Sequence, residues 1–122
     1  MAAIAIIEDT VDNAEFLRAM LDDAGHEAEC FTNGEDFFRK FKPRNFDLIL
    51  LDLALPDLDG YQIFDRIRKE DAHVPIIAVT ALVYTQDKER ALAMGFSSFI
   101  TKPIIDFNDF RDQISHCLEK AK

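Results

Sequence analysis

Short apolar runs alternate with amphipathic stretches along the whole chain. Ala3–Ile7 is a continuous apolar run of strand length, as expected of a strand covered on both faces. Ala14, Leu17, Met20, Leu21 and Ala24 then recur at helical spacing up to Gly25, with Asp12 and Glu15 placed to form a capping box. Glu27–Phe31 alternates polar and apolar positions, which predicts a half-covered strand at a sheet edge. Phe37, Phe38 and Phe41 mark one face of a short second helix that ends near Pro43. Phe46–Leu51 reads as a buried strand, and Pro56 with Gly60 as the turn after it. Tyr61, Phe64 and Ile67 carry a third helix, and Pro75–Val79 the next strand. The helix after that closes with Ala91, Met94 and Gly95. Phe99–Ile100 forms a fifth strand, and Phe107, Phe110, Ile114, Cys117 and Leu118 give the last helix its apolar stripe.

Strands alternating with helices of this length imply an α/β fold: a doubly wound parallel sheet of five strands, with right-handed crossovers and helices on both faces. The glutamates at positions 27 and 29 place the second strand at an edge. That favours the flavodoxin-like order 2-1-3-4-5 over the order of the classical dinucleotide fold. No Gly-x-Gly-x-x-Gly follows the first strand, which further weakens a nucleotide-binding reading. With 122 residues and no linker, repeat or low-complexity stretch, residues 1–122 form one domain.

Charge changes the picture more than composition does. Residues 1–60 hold 14 acids against 5 bases, whereas residues 61–122 hold 9 of each. A polyanion would be repelled by the first half, and no basic stripe appears in the second, so direct nucleic-acid binding is not expected. A cation is the more natural companion of the acidic half. No apolar run approaches the roughly 18 residues of a membrane span, so no membrane insertion is expected. No basic residue precedes Glu8, as a secretory leader would require. Cys30 and Cys117 are too few for a disulfide framework, which points to reduced thiols and a cytoplasmic protein. His26, His73 and His116 show no metal spacing and read as structural or surface residues.

In an open α/β sheet the ligand site lies beyond the carboxyl ends of the strands. Those ends carry Glu8 and Asp9, then Asp52, then Thr80, then Lys102 followed by Pro103. Singly, each has an ordinary explanation as a loop acid, strand terminator or surface lysine. Together they bring three carboxylates, a hydroxyl and an ammonium to one rim. Three converging carboxylates repel one another, so at least one resists ionisation unless a cation intervenes. Mg²⁺ suits such an oxygen-only set.

With Glu8-Asp9, Asp52 inside Leu-Leu-Asp-Leu-Ala-Leu-Pro-Asp-Leu-Asp-Gly, Thr80-Ala81 and Lys102-Pro103, the whole chain resembles a receiver domain of two-component response regulators, in the single-domain style of chemotaxis regulators. The resemblance implies that Asp52 is the phosphoacceptor. It makes Glu8, Asp9, Asp52 and the Ala54 backbone carbonyl the Mg²⁺ site, with Glu8 acting through water. Thr80 becomes the hydroxyl that follows the phosphoryl group, Lys102 its fixed cation, and Phe99 the switch aromatic. A cis Lys102–Pro103 bond is implied too.

A carboxylate already ionised at neutral pH needs no general base to attack phosphorus. Catalysis then reduces to positioning and charge neutralisation, and the added charge biases a two-state equilibrium. The expected partners are a histidine kinase or histidine phosphotransfer protein as donor, and an unidentified output protein. The output protein is expected on the face made by the fourth helix, fifth strand and fifth helix, where Ile104 and Ile105 offer an apolar patch. The expected role is a signalling switch that assists its own phosphorylation and dephosphorylation, not an enzyme. Because no further domain follows the last helix, output is expected through binding by this domain itself. Ala54 and Leu82 cannot hydrogen-bond an attacking water, which predicts a long-lived phosphoryl form.

Three other readings compete. The chain could be the excised receiver of a longer regulator or hybrid kinase. It could be a small phosphatase with an aspartyl intermediate, although Asp57-Leu58-Asp59-Gly60 lacks the Thr or Val that motif needs and reads as a turn onto the third helix. It could also be a flavodoxin-like cofactor protein.

Overall fold

The computed structural model describes residues 2–55, 57, 59–81 and 85–121. Pro56 and Leu82, given a turn and a shielding role above, lie outside the described residues. The elements are β1 (Ala3–Ile7), α1 (Val11–Asp23), β2 (Glu27–Phe31), α2 (Gly34–Lys40), β3 (Leu48–Leu51), α3 (Gly60–Glu70), β4 (Ile76–Thr80), α4 (Thr85–Met94), β5 (Ser98–Thr101) and α5 (Phe107–Lys120). The sheet has five strands, all parallel, in the order β2-β1-β3-β4-β5. This is the doubly wound, flavodoxin-like order expected from the sequence.

Strand alternation sorts the core onto two faces. Ala5, Ile7, Ile49, Leu51, Ile76 and Ala78 meet Phe37, Ile63, Phe64, Ile67 and Ala91 of α2, α3 and α4. Ile4, Ile6, Leu48, Leu50, Ile77 and Val79 meet Leu17 and Leu21 of α1 and Phe110, Ile114 and Cys117 of α5. Burying each such aliphatic side chain contributes about 1.5–3 kcal/mol. β1, β3 and β4 are covered on both sides, so their carboxyl ends are held at fixed heights.

Several boundaries differ from the sequence expectation, each for a local reason. α1 starts at Thr10, whose side chain makes no cap bond, and Asp12 and Glu15 form no capping box. The Thr10 amide instead bonds Glu8 Oε2 at 3.2 Å, and its carbonyl accepts from Ala14 at 3.0 Å, so the helix nucleates ahead of Asp12. A capping box does form at α3, between Asp59 and Gln62. β3 begins at Leu48 instead of Phe46; just before it the Asp47 amide donates to the Ala3 carbonyl at 2.7 Å and the Asp47 carboxylate takes the Ala3 amide at 2.8 Å. β4 runs one residue later than expected, to Thr80, and β5 spans Ser98–Thr101. Phe107 is not part of the buried stripe of α5. It is 51% exposed at the first position of that helix, beyond the end of the sheet, with its ring 5.8 Å from that of Phe16.

Candidate functional site

The strand register delivers the acids. Ile7 is aligned with Leu51, so the next residues, Glu8 and Asp52, emerge side by side from β1 and β3. Both are buried, at 2% and 6% exposure, whereas Asp9 is exposed. Carboxylate oxygens of Glu8, Asp9 and Asp52 lie within 4.8 Å of one another. From β5, the Lys102 Nζ reaches Asp52 Oδ2 at 3.0 Å and also donates to Glu8 Oε1. The Lys102–Pro103 bond is cis, and the Lys102 amide bonds the Thr80 carbonyl at 2.9 Å. The other Asp52 oxygen accepts the Ala54 amide at 3.0 Å. Thr80 is fully buried at the end of β4.

Electrostatics follow burial. Desolvation raises the Glu8 carboxyl above its ordinary value; the Lys102 and Thr10 bonds pull it down, and the Asp52 charge adds a smaller push upward. The resistance to ionisation foreseen for one of the acids therefore falls on Glu8, and its main cause is burial instead of mutual repulsion. Burial alone would lower the Lys102 ammonium, but its bonds to Glu8 and Asp52 and their charges outweigh it and raise the group. Lys102 is held charged between two carboxylates.

Phe99 is aligned with Ala78, and Thr80 with Thr101, so Phe99 lies on the same sheet face as Thr80, one pleat further back. It is half-buried against the core beneath α3 and α4. Ile104, expected to offer an apolar patch, is partly buried. It lines a recess of about 390 Å³ with Asn13, Phe16 and Leu17 of α1, and with Ala81, Lys102 and Pro103. A larger concavity of about 720 Å³ lies between α1 and the β2 edge, and no strand-end functional group lines it.

The structure also shows contacts that spacing along the chain did not reveal. A Cβ on Gly60 would stand 2.5 Å from the Leu53 Cα and 2.9 Å from the Asp52 carbonyl oxygen. The start of α3 is thus packed directly on the backbone of Asp52, fastened by the Gly60 N–H to the Leu53 carbonyl at 3.1 Å. Of the histidines, His26 accepts the Ala2 amide at 3.2 Å, whereas His73 and His116, distant in sequence, share a recess of about 220 Å³ at the opposite end of the sheet. Cys30 and Cys117 are free.

This rim of acids, hydroxyl and lysine accompanies a match of residues 4–115 to the family model of the response regulator receiver domain. The chain belongs to that family. The receiver is 32% identical over 122 residues to the transcriptional regulatory protein PcoR of Escherichia coli, covering 100% of this chain and 54% of PcoR. It is 30% identical over 101 residues to the sensor histidine kinase RcsC of Escherichia coli K12, covering 83% of this chain and 11% of RcsC. Among solved structures, the non-phosphorylated HemR receiver domain of Leptospira biflexa superimposes with a TM-score of 0.88 at 26% identity, covering 97% of this chain and 94% of that one. The receiver thus spans about half of PcoR and a small part of RcsC. Receiver domains are phosphorylation-dependent switches that bind Mg²⁺ at an acidic pocket and work with histidine kinases or phosphotransfer proteins. The oxygen-only donor set of Glu8, Asp9 and Asp52 fits such an ion. Among the described residues, no helix is long and apolar enough to cross a membrane.

Proposed function

We propose that this receiver takes a phosphoryl group from a histidine kinase or histidine phosphotransfer protein onto Asp52. The observation that carries this reading is the Asp52 carboxylate, buried beside Glu8 and bonded to Lys102 Nζ at 3.0 Å. Asp9, Asp52 and the Ala54 carbonyl would hold Mg²⁺ directly, and Glu8 would act through water. When bound, the ion supplies charge neutralisation to the transferring group and its acceptor. The ionised Asp52 attacks phosphorus without a general base, and the phosphorus–nitrogen bond of the donor histidine breaks as the new phosphorus–oxygen bond forms. Lys102 contributes a fixed ammonium toward the phosphoryl oxygens, and the Thr80 hydroxyl moves to bond one of them.

The apolar surface beside the site fits the incoming donor. Phe16, 46% exposed, lines the recess that shares Lys102 with the site, and Phe107, 51% exposed, packs on the Phe16 ring. A donor helix seated there brings its phosphohistidine over Asp52. Output runs through Phe99, whose ring fills the space that Thr80 vacates and alters the α4–β5–α5 face read by an output protein. The protein is cytoplasmic in this reading. The 54% and 11% coverage of PcoR and RcsC makes a receiver within a longer regulator or hybrid kinase the second reading.

Acetyl phosphate with Mg²⁺ tests the assignment by intact-mass spectrometry. Wild type gains one phosphoryl group and Asp52→Asn gains none. Equal labelling of the two removes Asp52 from its role.

A further inference from the structure

Helix α4 is held by little apolar burial. Among its described residues Ala91 is buried, Met94 is half-buried and Leu92 is exposed. Two further contacts tie it to α3. The Arg90 guanidinium carbon lies 3.9 Å from the centroid of the Tyr61 ring. The Tyr61 hydroxyl donates to the Asp87 carbonyl, nearly one turn earlier in α4, at 3.5 Å. Tyr61 is buried, and burial raises its phenol, so the hydroxyl stays a donor. Its ring stands edge-on to Phe96, which follows α4 and stacks on Phe64 of α3 at 4.4 Å.

The two ends of this contact answer to different parts of the site. Tyr61 follows Gly60, whose contact with the Asp52–Leu53 backbone fixes the start of α3 to the phosphoacceptor. Arg90 and Asp87 sit on the helix that follows Thr80. A phosphoryl group that draws Thr80 toward Asp52 would act on the strand that precedes α4 while the Tyr61 end stays anchored.

We propose that Tyr61 and Arg90 form a latch that holds α4 in its unphosphorylated position and so sets how readily phosphorylation repositions the α4 face. The proposal rests on Asp52 being the phosphoacceptor. Only an interaction that differs between the two states shifts the equilibrium, and this one is lost when α4 departs from α3. An exposed cation–π contact corresponds to about a two- to five-fold bias.

The test uses Arg90→Gln, Arg90→Lys, Tyr61→Leu and the Arg90→Gln/Tyr61→Leu double variant. Arg90 is exposed and outside the phosphorylation site, so its variants keep the fold even where Tyr61→Leu packs poorly. Amide hydrogen exchange across α4 is read without any phosphoryl group, and the beryllofluoride midpoint is read from amide shifts with Mg²⁺ present. Arg90→Gln should speed α4 exchange and lower the midpoint about two- to five-fold, Arg90→Lys should restore part of both, and the double variant should add little to the larger single effect. Unchanged α4 exchange in Arg90→Gln overturns the latch. Faster exchange at an unchanged midpoint overturns its regulatory role. A wild type that ignores beryllofluoride, or an Asp52→Asn that responds like wild type, overturns the reading of Asp52 and the regulatory proposal with it.

Discussion

Replacing Gly60 with alanine adds one methyl carbon at the point where α3 meets the phosphoacceptor loop. That carbon would stand 2.5 Å from the Leu53 Cα, 2.9 Å from the Asp52 oxygen and 3.0 Å from Leu53 Cδ2. Carbon atoms rest at about 3.5–4.0 Å, so the helix entry must retreat by about 1 Å. Backbone lies on both sides, and no side-chain rotation relieves it. The retreat lengthens the 3.1 Å bond from the Gly60 amide to Leu53 and loosens the antiparallel bridge between Ala54 and Asp59. Overpacking costs about 1–3 kcal/mol and the lost hydrogen bond about 1, offset by at most about 1 from alanine's helix propensity. The net is a loss of about 1–4 kcal/mol. At about 2.1 cal/mol/K per residue, the 122-residue chain should melt about 4–16 °C lower. Gly25→Ala is the control: its φ is +89° and nothing lies within 4 Å, so its cost is conformational, about 1–2 kcal/mol. Circular dichroism melts of both variants, with acetyl phosphate labelling rates, provide the assay. The labelling rate should fall in Gly60→Ala and hold in Gly25→Ala. A Gly60→Ala melt no lower than that of Gly25→Ala refutes the steric reasoning.

Other outcomes follow from the same geometry. Millimolar Mg²⁺ should raise the melting temperature of wild type, and Asp9→Asn should abolish more of that rise than Glu8→Gln, because a direct ligand loses more than a water-mediated one; equal loss in both excludes this division of roles. Asp71 takes amides from His73, Val74 and Arg44 at 3.0, 3.1 and 3.1 Å. Burial alone would raise its carboxyl, but those bonds and the Arg68 charge outweigh it and hold the group below its ordinary value. Its contribution is present above the unfolded carboxylate value and is lost as pH falls through the folded one. Asp71→Asn should therefore cost about 1 kcal/mol at pH 7 and progressively less as pH falls through the folded value; a pH-independent difference in urea midpoints would exclude this. Ala54→Asn should shorten the phosphoryl lifetime by giving the attacking water a hydrogen-bond partner, read as decay of the phosphorylated mass; an unchanged lifetime would show that Ala54 does not govern water access.

The sheet order was legible because the glutamates of β2 could stand only at an edge, while the runs ending at Ile7, Leu51 and Thr80 had to be covered twice. The site was legible for the same reason: each functional group directly follows or ends a strand. Contacts between elements were less accessible. Gly60 reads in one dimension as a turn marker, and its closeness to Asp52 depends on the α3 entry angle. Phe107 falls on the helical apolar stripe yet lies past the sheet end, where its ring meets that of Phe16. His73 and His116 share a recess only because β4 and α5 bring their ends together. Thr10 starts α1 because Glu8 turns its carboxylate back onto the chain, a local competition that spacing rules for capping boxes do not register.

The charge count at the strand ends links the resting arrangement to the switch. Fully ionised, Glu8, Asp9, Asp52 and Lys102 sum to a formal −2. The site relieves this in two visible ways: Lys102 bridges both buried acids, and Glu8 is pushed toward its neutral form. Both devices are committed before any phosphoryl group arrives. In the proposed reaction, phosphorylation would exchange the single charge of Asp52 for nearly two and add acceptor oxygens. Lys102 cannot satisfy Glu8, Asp9 and three phosphoryl oxygens together. In that proposal the remaining demand falls to a divalent cation on the acid side and to the hydroxyl of Thr80, buried at the end of β4. Moving that hydroxyl would act on the strand that precedes α4, a helix that buries Ala91 alone among its described residues. The start of α3 is fastened to the Asp52–Leu53 backbone through Gly60, so the proposed response falls on α4.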